Sequence, residues 1–88
     1  MDRKITCINK TNRQDPHERI SHVGGSGWRM TLNQAITAIE DGTETFHTMV
    51  NGKRAEVIIA KHNGNKYLKT ENDGEQPNNL LSLPECST

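Results

Sequence analysis

Two Asn-Gly pairs, Asn51-Gly52 and Asn63-Gly64, constrain this 88-residue chain more than any other feature. A two-residue hairpin loop needs positive φ at both central positions. Asn followed by Gly is the pair that tolerates this best. Each pair sits between strand-like runs, "TETFHTMV", "KRAEVIIAK" and "KYLKT". A two-residue loop at Asn51-Gly52 pairs Val50 with Lys53, Thr48 with Ala55 and Phe46 with Val57. The same loop at Asn63-Gly64 pairs Ile59 with Leu68 and Val57 with Thr70. A slip of one residue would turn every side chain over, so agreement between the two registers is a real test. Both place Phe46, Val50, Ala55, Val57, Ile59 and Leu68 on one face. His47, Met49, Arg54, Glu56, Ile58, Tyr67 and Lys69 fall on the other.

A helix over 32–41 is predicted to cover the apolar face. Thr31 and Gln34 form a Thr-x-x-Gln capping box, and Gly42 provides the stop. Leu32, Ala35, Ile36 and Ile39 make a single stripe. A helix this short needs tertiary support. The expected fold is therefore α+β: a three-stranded antiparallel meander (about 43–50, 53–61, 66–70), one helix on one face, and a short N-terminal strand at 4–9. Residues 1–88 read as a single domain. Residues 10–30 read as a long loop made flexible by "GGSG", with a helical turn at 16–20 where Pro16 follows a capping Asp15.

The tail, "NDGEQPNNLLSLPEC", is too apolar for an idle terminus. Leu80, Leu81 and Leu83 are expected to dock on the body, over the meander's second face or its edge. The rival reading is a tail that binds another chain.

Charge excludes some functions. Eleven Lys and Arg balance eleven Asp and Glu, which disfavours a nucleic-acid binder. No apolar run approaches the length of a membrane span, and "MDRKITCINK" lacks a signal peptide's apolar stretch. The expectation is a cytoplasmic protein. In that reducing setting Cys7 and Cys86 read as free thiols or ligands rather than a disulfide.

Three clusters bear on chemistry. His17 and His22, with four residues between them, together with Cys7 and Cys86 are of the types that bind zinc, but no Cys-x-x-Cys knuckle accompanies them. His47 faces Glu56 across the first hairpin, near Arg54, Tyr67 and Lys69. A His–carboxylate pair can move protons, yet cross-strand charge pairs are also ordinary sheet stabilisers. "HVGGSGW" fits neither phosphate-binding glycine motif. Its loop can still close on a ligand, with Trp28 as a stacking surface and Arg29 as a donor.

With "ITCINK", "PHERI" followed by "HVGG", a Trp before the helix, and "KYLKTENDGEQPNNLLSLPEC" in view, the chain resembles a family of short bacterial and phage-borne proteins catalogued as a domain of unknown function. The resemblance implies a bacterial or phage origin and a tail that belongs to the domain. It implies no activity.

The reading that follows is a non-enzymatic binding protein without a cofactor. It contacts a protein or small ligand through residues 10–30 and the nearby polar sheet, with Arg19, His22, Trp28, Arg29, His47, Glu56 and Tyr67 as candidates beside His17. A second copy of the chain is among the partners it allows. The alternatives are a zinc-supported domain or hydrolytic enzyme using His17, Glu18 and His22, and a nucleic-acid binder.

Overall fold

Both Asn-Gly reversals form as the sequence requires. Asn51 and Gly52 have φ of 53° and 76°, and Asn63 and Gly64 have φ of 52° and 82°, the left-handed conformation of a type I′ loop. The structure is a computed structural model that describes residues 1–11, 14, 19–71 and 78–86. Its elements in chain order are β1 (Asp2–Lys4), β2 (Cys7–Lys10), β3 (Ile20–Gly25), β4 (Trp28–Thr31), α1 (Leu32–Asp41), β5 (Thr45–Val50), β6 (Lys53–His62), β7 (Asn65–Thr70) and α2 (Asn78–Leu81).

The meander has the expected register, with Val50 opposite Lys53, Thr48 opposite Ala55, Val57 opposite Thr70 and Ile59 opposite Leu68. Phe46, Ala55, Val57 and Leu68 are buried on its inner face. Helix α1 starts at the capping box: Thr31 Oγ1 accepts from the Gln34 amide at 3.1 Å, and the Thr31 amide donates to Gln34 Oε1 at 2.9 Å. Gly42, at φ 75°, ends it by donating to the Ala38 and Ile39 carbonyls. Ala35 and Ile36 are buried, so the stripe read from sequence is the packed one.

The N-terminal segment departs from the single strand expected at 4–9. Strand β1 runs parallel to β5, Arg3 opposite Phe46, and completes a four-stranded sheet of order β1-β5-β6-β7. The Ile5 amide donates to the His47 carbonyl at 2.8 Å, and the next amide, Thr6, donates to Gly24 at 2.9 Å. The chain thus passes from one sheet to another between these two residues. Spacing shows why it must: Ile5 and Ile8 are both fully buried. Three residues apart, they would face opposite ways along an unbroken strand.

The second correction concerns residues 20–31. They form a hairpin, not a flexible loop. β3 pairs with β2 and with β4, giving a three-stranded antiparallel sheet of order β2-β3-β4. "GGSG" is its tight turn, with Gly25 opposite Trp28 and Gly27 at φ 77°. The helical turn expected at 16–20 falls mainly outside the described residues, and Ile20 itself is in β3.

One core joins the two sheets and both helices: Ile5, Ile8, Ile20, Val23, Ala35, Ile36, Phe46, Val57, Leu68 and Leu80. The tail docks, though not on the meander's second face. Leu80 is fully buried in this core, with Leu81 and Leu83 packed against it. Asn79 Nδ2 donates to the buried Thr70 Oγ1 at 2.8 Å, fastening α2 to β7. Beyond α2, residues 84–86 run parallel to β2: the Ile8 amide donates to Pro84 and the Cys86 amide to Ile8, both at 3.0 Å.

Candidate functional site

Strand β1 brings together what the sequence left apart. Arg3 lies on the inner side, opposite Phe46, and its guanidinium stacks 5.3 Å above the Trp28 ring centroid. Glu44 holds it there in an ion pair at 2.9 Å. Trp28 in turn packs on Phe46, ring centroids 5.8 Å apart. The indole reaches this position because Gly25 has no side chain. A Cβ there would lie 2.4 Å from Trp28 Nε1 and 2.5 Å from the Lys4 carbonyl. The second glycine of "HVGG" is therefore the seat of the tryptophan.

Between β1 and the β3–β4 turn lies a groove of about 390 Å³, lined by Met1, Asp2, Arg3, Lys4, Thr6, Ser26 and Trp28. It combines an aromatic face with cationic groups. A depression of about 400 Å³ along α1 is lined by Asn33, Gln34, Thr37, Ala38, Asp41 and Thr43. Gln34 is already committed to the capping box, and Asp41 is the depression's one ionisable residue, so the groove at β1 is chemically the better equipped.

The outer face of the larger sheet carries a second cluster. Asp2 Oδ1 accepts from Thr45 Oγ1 at 3.0 Å and from His47 Nδ1 at 3.1 Å, and Asp2 Oδ2 accepts from Arg54 at 2.7 Å. Arg54 Nε donates to Glu56 at 2.7 Å. The hydrogen bond from Arg54 is the main reason the Asp2 carboxyl falls from 3.8 to about 2; His47 and Thr45 add to it, and burial opposes it. Arg54 is pushed up by Glu56 first and Asp2 second. His47 and Glu56 are opposite each other as expected, but each binds a different partner. A carboxylate that orients an imidazole is half of a proton-relay system. Here, though, the bonding capacity of Asp2 is spent on three neighbours. The arrangement reads as a surface brace.

Several expected groupings do not form. Arg29 is not the donor beside Trp28. It stands opposite Gly24 and reaches Asn9 Oδ1 at 3.5 Å on the second sheet's outer face. His22 Nδ1 contacts Ser21 Oγ at 3.0 Å. Arg19 is half-buried at the entry to β3, and its carbonyl accepts from Thr11. Tyr67, expected on the polar surface, is buried at 5% exposure. His17 and Glu18 lie outside the described residues.

Cys7 and Cys86 are joined in a disulfide that links positions 79 apart in sequence. This overturns the reading as free thiols and removes both sulfurs from any zinc set. Among the described residues no group of three or more His, Cys, Asp or Glu is placed to hold a metal ion. The first glycine of "HVGG" is explained by the same bond: a Cβ at Gly24 would sit 3.0 Å from Cys86 Sγ and 3.1 Å from Cys7 Sγ. Asp2, Arg3, Lys4 and Asn9 were missed as site residues. The parallel β1–β5 pairing that places the first three leaves no turn motif in the sequence.

The family described as "Protein of unknown function (DUF3892)" matches residues 4–84. The chain belongs to that family. The DUF3892 match runs from the end of β1 through α2, so it spans both sheets, Trp28 and the docked leucines. No curated protein and no solved structure matches the chain. Among the described residues no helix is long and apolar enough to cross a membrane.

Proposed function

We propose that this DUF3892 chain is a small non-enzymatic binding module that takes an acidic peptide segment into the groove between β1 and the β3–β4 turn. The observation that carries the reading is the Arg3–Trp28 stack, with the guanidinium 5.3 Å from the ring centroid, beside the exposed Lys4. Glu44 neutralises Arg3 and holds it over the indole. Lys4 is then the cation offered to a carboxylate, while Trp28 offers an apolar face to the neighbouring side chain. Aromatic rings flanked by cations are common anchors in such contacts. The sequence points to contact through residues 10–30 and the nearby polar sheet. The groove keeps Ser26 and Trp28 from that stretch and adds β1. The resemblance carried by the PHERI and LLSLPEC blocks supports a bacterial or phage origin as part of the same proposal.

Trp28 is the only tryptophan, so its emission reports on the groove directly. Titration with a random Glu-Leu copolymer is expected to give a saturable emission change that Lys4→Glu abolishes. Poly-lysine is expected to give none. No change with the acidic copolymer, or a response to a single-stranded oligonucleotide instead, overturns the reading.

A further inference from the structure

We propose that the Cys7–Cys86 disulfide is a thiol-exchange site whose reduction releases residues 84–86 from the edge of β2. The bond lies on the outer face of the second sheet, over Gly24, away from the core. Cys7 is half-buried and Cys86 buried at 8% exposure. The approachable sulfur is therefore that of Cys7, and the leaving sulfur belongs to the C-terminal segment.

That segment is held in two unequal stages. Helix α2 is anchored by Leu80, which is fully buried, and by Asn79 on Thr70. The Leu83 amide then closes back on Leu80 at 3.1 Å. Residues 84–86 have only the disulfide, two backbone hydrogen bonds to Ile8, and an Asn9–Glu85 contact at 3.3 Å among the described interactions. Pro84 has no amide to donate, so the ladder cannot extend toward α2. Backbone hydrogen bonds at an edge are worth little once water competes for the same groups. Without the covalent tie, residues 84–86 leave and α2 stays. Ile8 then presents its N–H and carbonyl at an open edge, the form in which an extended chain is captured.

The chemistry needs a dithiol reductant. Its thiolate attacks Cys7 Sγ and forms a mixed disulfide; the Cys7–Cys86 bond breaks and its electron pair leaves on Cys86 Sγ, which takes a proton. The second thiol of the reductant then displaces Cys7, which is protonated in turn. Two electrons and two protons pass to the protein, and the reductant leaves as its own disulfide.

Amide hydrogen exchange on the whole chain, with and without dithiothreitol, tests this. Alkylation followed by mass measurement is expected to show both thiols formed under native conditions. Exchange at the Ile8 and Cys86 amides is expected to exceed that in β6 and β7 by about tenfold or more, the meander staying folded with only the general loss of protection that the lower global stability gives. The Cys86→Ser variant is expected to match the reduced protein without any reductant. Ile8 keeping its protection after both thiols form overturns the proposal, because the bond is then only a brace. Exchange in β6 and β7 as fast as at Ile8 overturns it too, because the whole fold then opens together, as does failure of the native protein to reduce.

Discussion

Gly24 lies directly beneath the sulfur of Cys86, so close that a Cβ at that position would come within 3.0 Å of it and within 3.1 Å of the Trp28 carbonyl. Gly25 is tighter still: a Cβ there would come within 2.4 Å of the indole nitrogen and 2.5 Å of the Lys4 carbonyl. Overpacking of this kind costs about 1–3 kcal/mol. Gly24→Ala is expected to lower the melting temperature by roughly 5–10 °C, and Gly25→Ala by more, since part of its obstruction is backbone that cannot rotate away. Thermal melts of both variants check the order. Equal tolerance would mean that the paired glycines do not seat the disulfide and the ring.

Leu80 reaches the core from the tail whose three leucines already pointed to docking on the body. It is fully buried, with Ile8, Phe46 and Leu68 in the same cluster. Removing such a side chain costs about 2–5 kcal/mol. Leu80→Ala is expected to lose that amount in urea unfolding, while Ser82→Ala, at an exposed position, is expected to change stability by less than about 0.5 kcal/mol. A small effect at Leu80 would return the tail to the role of a partner-binding arm.

The difference in legibility between the two halves of the chain has a physical origin. The meander could be read because each hairpin is local: a two-residue turn fixes register, and register fixes the inward face. The second sheet could not. β3 shifts register where Asn9 pairs with His22 but Lys10 pairs with Ile20. That bulge lets Ile20 and Val23 both point inward at a spacing of three, which erases the period-two signal. The crossing at Ile5 and Thr6 hides β1 and β2 in the same way. The site suffered accordingly. Trp28 was found because aromatics are rare here. Its partner Arg3 arrives through a parallel pairing between positions 43 residues apart, which no turn residue announces.

The disulfide was misread for a different reason. A reducing compartment says nothing of geometry, whereas the pairing depends on the alignment of residues 84–86 with Ile8. In the chain-entropy account, a cross-link spanning 79 positions stabilises by about 4.5 kcal/mol. A domain of this size holds about 5–15 kcal/mol in total. Cys7→Ser with Cys86→Ser is therefore expected to stay folded but with a urea midpoint well below that of the oxidised protein. Dithiothreitol is expected to lower the midpoint of the wild type and leave that of the double variant unchanged. Identical midpoints for oxidised and reduced wild type would remove the bond from the stability of the fold.

Asp2 gives the chain a defined acid response. Its carboxyl is held at about 2, against an ordinary 3.8, chiefly by the hydrogen bond from Arg54. A carboxyl whose folded value is depressed stabilises the fold fully above its unfolded value, and that contribution is lost as pH falls through the folded one. The window is therefore about pH 4 down to about pH 2. Within it, Asp2 takes up a proton on unfolding, and the ties of β1 to His47, Thr45 and Arg54 weaken. The group is exposed, so the effect is modest and is expected to shrink in high salt. Asp2→Asn is expected to be less stable than wild type at pH 7, with the gap closing as pH approaches 2. Urea midpoints of the two proteins across that range measure the gap directly. A gap that stays constant from pH 7 to pH 2 would show that the Asp2 charge does not hold β1 on β5.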